Sequence, residues 1–220
     1  MKKSNSTKML AVFICSMLIW TSCSTGWITE AEQIVATLIP GTANLLTLIA
    51  AVQGKNISAA DLQTVQNAGT QAEADLQVLE SLITQYEKAD GAAQPGLLNQ
   101  IQAALSSVQS NLNGLLPASH IEDAAAEAKV SAVIGILISE VDSMAAIIPR
   151  VSAGPSAAFR SSNRPRVSEH ALLTADQFVS GYNATMAAKT GNAELDRATS
   201  GLKIHWHVKL ARWASAGLLK

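Results

Sequence analysis

The sequence has little of the chemistry that enzymes most often use. Its 220 residues include only two cysteines, and aromatic residues make up 4% of the chain. It contains no glycine-rich phosphate-binding loop, no G-x-S-x-G nucleophile elbow and no H-E-x-x-H zinc motif. We therefore expect a protein that is not an enzyme and needs no cofactor, although a catalytic site that forms only in three dimensions stays open.

What the chain does have is aliphatic side chains. Hydrophobic residues make up 48% of it, and most of them are alanine, leucine, isoleucine and valine. This composition favours helices that pack closely side by side. We predict an all-α fold, in which an up-down-up-down four-helix bundle of long helices with coiled-coil-like packing is followed by a linker and a smaller helical C-terminal tail.

The N-terminal 22 residues have the pattern of an export signal. Lys2, Lys3 and Lys8 precede an apolar run from Met9 to Trp20, and small residues follow it. The run of about 12 residues is shorter than the ~20 residues that a membrane-spanning helix needs. We therefore predict a signal peptide that is removed.

The end of this signal, Thr21-Ser22-Cys23, resembles the lipobox of bacterial lipoproteins. In that family small residues precede a cysteine that carries fatty acyl chains, such as palmitate, and becomes the first residue of the mature protein. The resemblance covers only the signal, and Trp20 stands where the family prefers an aliphatic residue. It implies that Cys23 is the lipidation site and that residues 23–28 tether the domain to a membrane.

The resemblance also implies a location in the cell envelope. Lipoproteins of this kind that stay in the inner membrane carry Asp after the cysteine, whereas this chain has Ser24, which favours the outer membrane or the cell surface. Removal of the signal would also remove Cys15, so the mature chain could form no internal disulfide. A secreted form without lipid and an uncleaved membrane anchor remain alternatives.

Start and stop signals predict four helices over residues 29–148. Capping boxes mark three helix starts, at Thr29, Ser58 and Ser119, and Pro95 opens the third helix. The predicted breaks lie at residues 54–56, 90–91 and 114–117, and Pro149 ends the fourth helix.

Each predicted helix carries apolar or small residues at spacings of three and four, which is typical of a heptad seam. The seam residues are Ile34, Leu38, Gly41, Leu45, Leu48 and Val52; Leu62, Val65, Gly69, Ala72, Leu76, Leu79, Ile83 and Tyr86; Leu97, Ile101, Leu105, Val108, Leu112 and Leu115; and Val130, Ile134, Leu137, Val141, Met144 and Ile148. Pro40 interrupts the first helix, where we expect a kink or a break.

The two halves of the chain differ in charge. Residues 23–148 carry 13 acidic and three basic side chains, whereas residues 149–220 carry four acidic and ten basic ones. This split predicts either that the basic tail lies against the acidic bundle or that it serves an anionic partner outside the chain. A protein partner, or self-association through the bundle, is a further candidate.

Residues 149–172 form the predicted flexible linker, because they are rich in proline, glycine and serine. Its arginines are Arg150, Arg160, Arg164 and Arg166. Arginine binds phosphate and carboxylate groups, so an anionic surface is a candidate partner beside the simpler interpretation of a solvated linker. Only Phe159 is interleaved with the arginines, which argues against nucleic-acid binding.

The tail, residues 173–220, is predicted to be helical. A capping box at Thr174 opens one helix, and a second short helix is expected around residues 194–198. From Leu202 onward the residues alternate as in a strand and also fit one face of a helix. Helix is favoured because an isolated strand is unstable and no partner strand is visible.

Two features of the tail suggest ligands. His205 and His207 would share one side of a strand and could bind a metal ion, but with only His120 and His170 in addition we favour surface histidines and expect no metal. The tail also resembles a helix that lies on a membrane surface. The residues concerned are Lys203, Trp206, Lys209, Arg212, Trp213 and Lys220.

Together these features predict an exported, membrane-anchored lipoprotein whose bundle acts as a non-enzymatic scaffold or interaction module of the envelope. The alternative is a membrane-active, pore-forming-like bundle that opens and inserts. Its best candidate segments, residues 45–52 and 130–141, are apolar but too short to span a bilayer alone.

Overall fold

The computed structural model describes residues 26–53, 58–149 and 173–205. These residues form six helices and no strand, and 84% of them are helical. The helices are α1 (Gly26–Val52), α2 (Ala59–Lys88), α3 (Gln94–Ser119), α4 (Ala124–Ile147), α5 (Ala175–Ala187) and α6 (Ala193–Ser200). The predicted all-α helical bundle is confirmed for this part of the chain.

The four long helices, α1 to α4, surround one aliphatic core. Helix α1 contacts α2 and α4, and α3 contacts the same two helices. Two contacts at different positions along the helices show that α1 and α2 are antiparallel. The ring centroids of Trp27 and Tyr86 are 5.0 Å apart at one end, and Leu46 lies against Gly69 further along. The complete up-down-up-down order of the four helices stays a prediction.

The predicted apolar seams supply most of this core. The seam residues of α4 are all buried, and so are those of α2 apart from Leu62, which is 37% exposed. In α3 the first buried seam position is Leu98 rather than Leu97. These departures lie near helix ends, where fewer neighbouring helices cover a side chain. The spacing of apolar residues therefore predicts the interior of the bundle better than its rim.

Two glycines in the seams allow the helices to approach closely. A Cβ atom at Gly41 of α1 would lie 2.9 Å from Cδ2 of Leu137 in α4, and one at Gly69 of α2 would overlap with Leu46. Interiors are packed so densely that such positions tolerate little added volume. Glycine is therefore used here for the space that it leaves, within helices whose backbone is otherwise regular.

Helix α1 differs from the prediction at its start and at its proline. It begins at Gly26, so Thr29 lies within the helix and is not its N-cap. It also continues on both sides of Pro40, so the helix does not break there, and the kink that was the other expectation stays a prediction. The adjacent core residues Leu38 and Gly41 are buried, and we attribute the continuity to this packing, which offsets the lost backbone hydrogen bond.

The junction between α3 and α4 lies later than predicted. Helix α3 continues through Gly114 and Pro117 and ends where His120 adopts a left-handed backbone conformation, with φ 45°. Asp123, rather than Ser119, is the N-cap of α4, because its carboxylate accepts a hydrogen bond from the amide three residues on at 2.7 Å.

Three other predicted helix starts are confirmed. The hydroxyl of Ser58 accepts from the amide of Asp61 at 3.1 Å at the start of α2. Pro95 lies in the first turn of α3. Thr174 and Gln177 form a complete capping box at the start of α5.

Helices α5 and α6 pack on the long helices. Helix α5 contacts α1 and α4, and α6 contacts α1; Phe178 and Tyr182 of α5 are fully buried in the shared core. Residues 202–205 are not helical, so the helix predicted to begin there is wrong over these four residues. The side chain of Asn183 bonds both backbone groups of Ile204, at 2.8 and 3.0 Å, and so replaces helical hydrogen bonds.

Among the described helices, α1 and α4 are long and apolar enough to cross a membrane. They have 27 and 24 residues, which corrects the expectation that their apolar segments are too short. About half of each apolar window is buried inside the bundle. The core helices of a soluble bundle have the same composition, so length and apolarity do not by themselves place α1 and α4 in a bilayer.

Candidate functional site

Most residues that the sequence singled out lie outside the described part of the chain. They are Cys23, Arg150, Arg160, Arg164, Arg166, His170, Trp206, His207, Lys209, Arg212, Trp213 and Lys220. Lipidation, anion binding by the linker and membrane contact by the last residues therefore stay predictions.

The two histidines that are described, His120 and His205, follow different helices. His120 follows α3, and its Nε2 lies 3.4 Å from Oδ1 of Asp61, with both side chains exposed. His205 is exposed beyond α6. No group of three or more His, Cys, Asp or Glu side chains that could hold a metal ion occurs within residues 26–53, 58–149 and 173–205.

The described C-terminal segment, residues 173–205, lies on a surface formed by α1 and α4, which we name the docking surface. Its centre is apolar. The position of a Cβ on Gly41 would be 2.9 Å from Leu137, 3.4 Å from Phe178 and 3.6 Å from Ile204, so these side chains converge on the glycine backbone. The buried hydroxyl of Tyr182 donates to the carbonyl of Gly41 at 3.5 Å.

Polar anchors hold the two ends of α5 on α4. Near the start of α4, the ammonium of Lys129 donates to the carbonyl of Ala188 at 2.7 Å and to the hydroxyl of Thr199 at 3.2 Å. Near its end, the hydroxyl of Ser143 accepts from the amide of Leu173 at 3.0 Å. Helices α4 and α5 are therefore antiparallel, and the anchors fix the register between them.

Lys129 is unusual because only 5% of it is exposed. Burial lowers its pKa, and the carboxylate of Asp196 opposes this effect. Its two acceptors are a backbone carbonyl and a hydroxyl, both from the C-terminal segment. The lysine therefore depends on that segment for its hydrogen bonds.

The segment that follows α6 is held by two asparagines. The amide of Asn44 in α1 donates to the carbonyl of Leu202 at 3.0 Å. Asn183 in α5 bonds both backbone groups of Ile204. These contacts keep Ile204 buried against the docking surface although it lies outside any helix.

Glu140 of α4 is fully buried, and neither of its carboxylate oxygens has a hydrogen-bond partner among the described residues. It lies three residues before Ser143 and eleven after Lys129, which places all three on one face of α4. Burial, followed by repulsion from Glu30 of α1, raises the pKa of Glu140 to about 8. The carboxyl group is therefore mainly protonated at neutral pH.

The polar contact between α2 and α3 has a different character. The half-buried carboxylate of Asp75 accepts hydrogen bonds from Ser107 at 2.5 Å, from Asn111 at 3.0 Å and from Gln71 at 2.8 Å. Helix α3 itself carries no charged residue. The carboxylate of Asp75 in this contact is therefore well supplied with hydrogen bonds.

The sequence predictions did not include Lys129, Glu140 or Ser143. The arrangement of these residues holds a helical segment in place and keeps one proton in the interior of the bundle. Comparison of the chain with protein-family models, with curated proteins and with solved structures finds no match. The function is therefore inferred from the residues of this chain alone.

Proposed function

We propose that this chain is an exported lipoprotein of the bacterial cell envelope, anchored through Cys23, whose helical bundle acts as a non-enzymatic scaffold or interaction module. The observation that carries the proposal is the order of lysines, apolar residues and small residues that ends at Cys23. Acyl chains on one cysteine would hold the protein stably at a membrane, since several chains anchor where one does so only weakly.

The start of α1 supports an anchored bundle. Only Ser24 and Thr25 separate Cys23 from Gly26, the first residue of α1. A residue spans at most about 3.6 Å, so a lipidated Cys23 would keep this end of the bundle close to the lipid. Trp27 and Tyr86 pack edge to face at this end.

The interior and the surface of the bundle support a scaffold. The buried cluster of the described helices consists largely of aliphatic side chains, which stabilise a rigid bundle. Among the described residues, the exposed large hydrophobic side chains are Leu62 and Val78, both on α2. A protein partner of these helices would therefore meet a mainly polar surface.

Metabolic labelling with a palmitate analogue tests the anchor. We expect wild-type protein to be labelled and to remain with membranes, whereas Cys23→Ala is unlabelled. Cys15→Ala is the matched control, because it removes the other cysteine of the chain and should label as wild type. Equal labelling of the Cys23→Ala variant and wild type would refute lipidation at this site.

A second candidate function, a membrane-active bundle, is favoured by one observation. The two helices that are long and apolar enough to span a bilayer, α1 and α4, are neighbours in the fold. In the closed bundle half of each apolar window is covered, so insertion would require other helices to move away.

Dye release from liposomes separates the two candidates. The anchored scaffold predicts that the purified chain leaves anionic and neutral liposomes intact between pH 5 and pH 8. Release that depends on protein concentration would replace the scaffold by the membrane-active bundle.

A further inference from the structure

Glu140 is a buried acid that plays no part in the proposed scaffold function. A carboxylate in a protein interior is normally paired or hydrogen-bonded. Glu140 is fully buried, and both oxygens lack a hydrogen-bond partner among the described residues. Either the group keeps its proton or the surroundings that bury it must change.

Among the described residues, the charged neighbours of Glu140 do not compensate a charge on its carboxylate. The facing acid on α1 is Glu30, which repels it. Helix α3 has no charged residue. On α5, Asp176 is acidic and exposed and Tyr182 is buried, and burial raises the pKa of Tyr182 so that it stays neutral.

The cation on the same face of α4 is already engaged. Lys129 lies eleven residues, or about three helical turns, from Glu140, and it donates to Ala188 and Thr199. Asp196 is the acid that acts on it from the C-terminal segment. Glu140 therefore lies between two anchors of that segment, Lys129 and Ser143, without sharing in either.

We propose that Glu140 is a proton-operated latch for the C-terminal segment: with its proton it allows residues 173–205 to lie on the docking surface, and its ionisation favours their release. This inference goes beyond the proposed scaffold and does not depend on lipidation. The apolar contacts on Gly41 and the anchors at Lys129 and Ser143 supply the attraction that the ionised carboxylate opposes.

The direction of the pH effect follows from the two environments. In the docked state the pKa of Glu140 is about 8, and in the released state it returns towards its ordinary 4.5. The docked state therefore binds a proton more tightly, and its advantage is complete below pH 4.5. Release becomes easier by up to about tenfold per pH unit between these two values and levels off above pH 8.

Released helices would be recognisable because they are short. Helices α5 and α6 have 13 and eight residues, and isolated helices of this length are marginal in water. Their backbone amides would lose protection against hydrogen exchange on release. Amides of α2 should stay more strongly protected than those of α5, since α2 packs on α1 and α3 and makes no part of the docking surface.

Hydrogen exchange with mass spectrometry on the full chain in detergent micelles, from pH 5 to pH 8, tests the latch. Rates are divided by the intrinsic rate at each pH to give protection factors. In wild type we expect protection of α5 to fall by between tenfold and a thousandfold over this range and to stay below that of α2 at every pH. In Glu140→Gln the fall in α5 should shrink to less than threefold.

Asp142→Asn is the matched control, because Asp142 is an exposed acid two residues away on α4, and it should keep the wild-type pH dependence. If Glu140→Gln does not fold, Glu140→Leu, which needs no hydrogen bond, takes its place. The latch is overturned if α5 of the wild type keeps its protection across this range, if α5 is protected as strongly as α2, or if a folded Glu140 variant retains the wild-type dependence.

Discussion

Two contacts within the bundle place their ionisable side chains differently. One is the contact between α2 and α3, and the other is the contact between α4 and the C-terminal segment. In the first, apolar seams meet inside, and the carboxylate of Asp75 accepts three hydrogen bonds at the edge. In the second, an ammonium and a carboxyl group lie inside. Within the described part of the chain, Lys129 donates only to the C-terminal segment, and Glu140 has no hydrogen-bond partner.

This difference indicates that the two contacts respond differently to pH. The contact between α2 and α3 keeps its charge where water can reach it, so it should respond little to pH. The docking surface keeps titratable groups out of water, where one proton changes the free energy of the docked state. Sensitivity to pH is therefore concentrated at the docking surface, and three substitutions there probe the contacts that hold the C-terminal segment in place.

The largest effect is expected from Phe178→Ala. Phe178 is fully buried at the centre of the docking surface, and removal of a buried phenylalanine side chain costs about 3–5 kcal/mol. Chemical denaturation measures the loss. Val78→Ala on α2, where the side chain is 51% exposed, should change stability by less than about 0.5 kcal/mol. Similar losses in the two variants would contradict the central place of Phe178.

A smaller effect is expected from Lys129→Met, which keeps the apolar stem and removes both hydrogen bonds to the C-terminal segment. Leaving the carbonyl of Ala188 without a partner, and the hydroxyl of Thr199 with only its bond to the carbonyl of Asp196, should cost about 1–3 kcal/mol. Lys88→Met at the exposed end of α2 should cost a few tenths of a kcal/mol. A neutral Lys129→Met in urea unfolding would show that the anchor contributes nothing.

The smallest effect is expected from a pair of glycines. Gly41→Ala brings a Cβ within 2.9 Å of Leu137, and because that leucine end can shift, the loss should be about 1 kcal/mol. Gly135→Ala on α4 meets no atom within 4 Å and should gain about 0.5–1 kcal/mol from helix propensity. Melting temperatures that move in the same direction for both would argue against the close approach at Gly41.

The sequence predicts the long helices because their seams repeat every three or four residues, and burial of such a stripe is the main force that fixes a helix. It misplaces boundaries where two capping signals compete. Ser119 has the spacing of a capping box, yet Asp123 binds the first turn of α4 directly. Pro40 and Pro117 lie within helices, because packing over several turns outweighs one missing hydrogen bond.

The buried acid could not be predicted in the same way. Glu140 and Asp142 are near neighbours of the same type, yet one is buried and the other exposed, and the predicted seam of α4 contains neither of them. One signal was available: Lys129, Ile136 and Glu140 follow the heptad spacing of a second stripe on α4. A charged residue in such a stripe usually indicates a solvated face, and here it marks a docking surface.

The pH dependence of the unfolding free energy tests the central comparison most directly. Wild type should lose about 1 kcal/mol of stability per pH unit between pH 5 and pH 8, because the pKa of Glu140 is raised to about 8 by burial and by Glu30. Glu140→Gln should keep only the shallower slope of Glu32, whose pKa is raised by burial and by Glu87 and Glu80. An unchanged slope in Glu140→Gln would contradict the account.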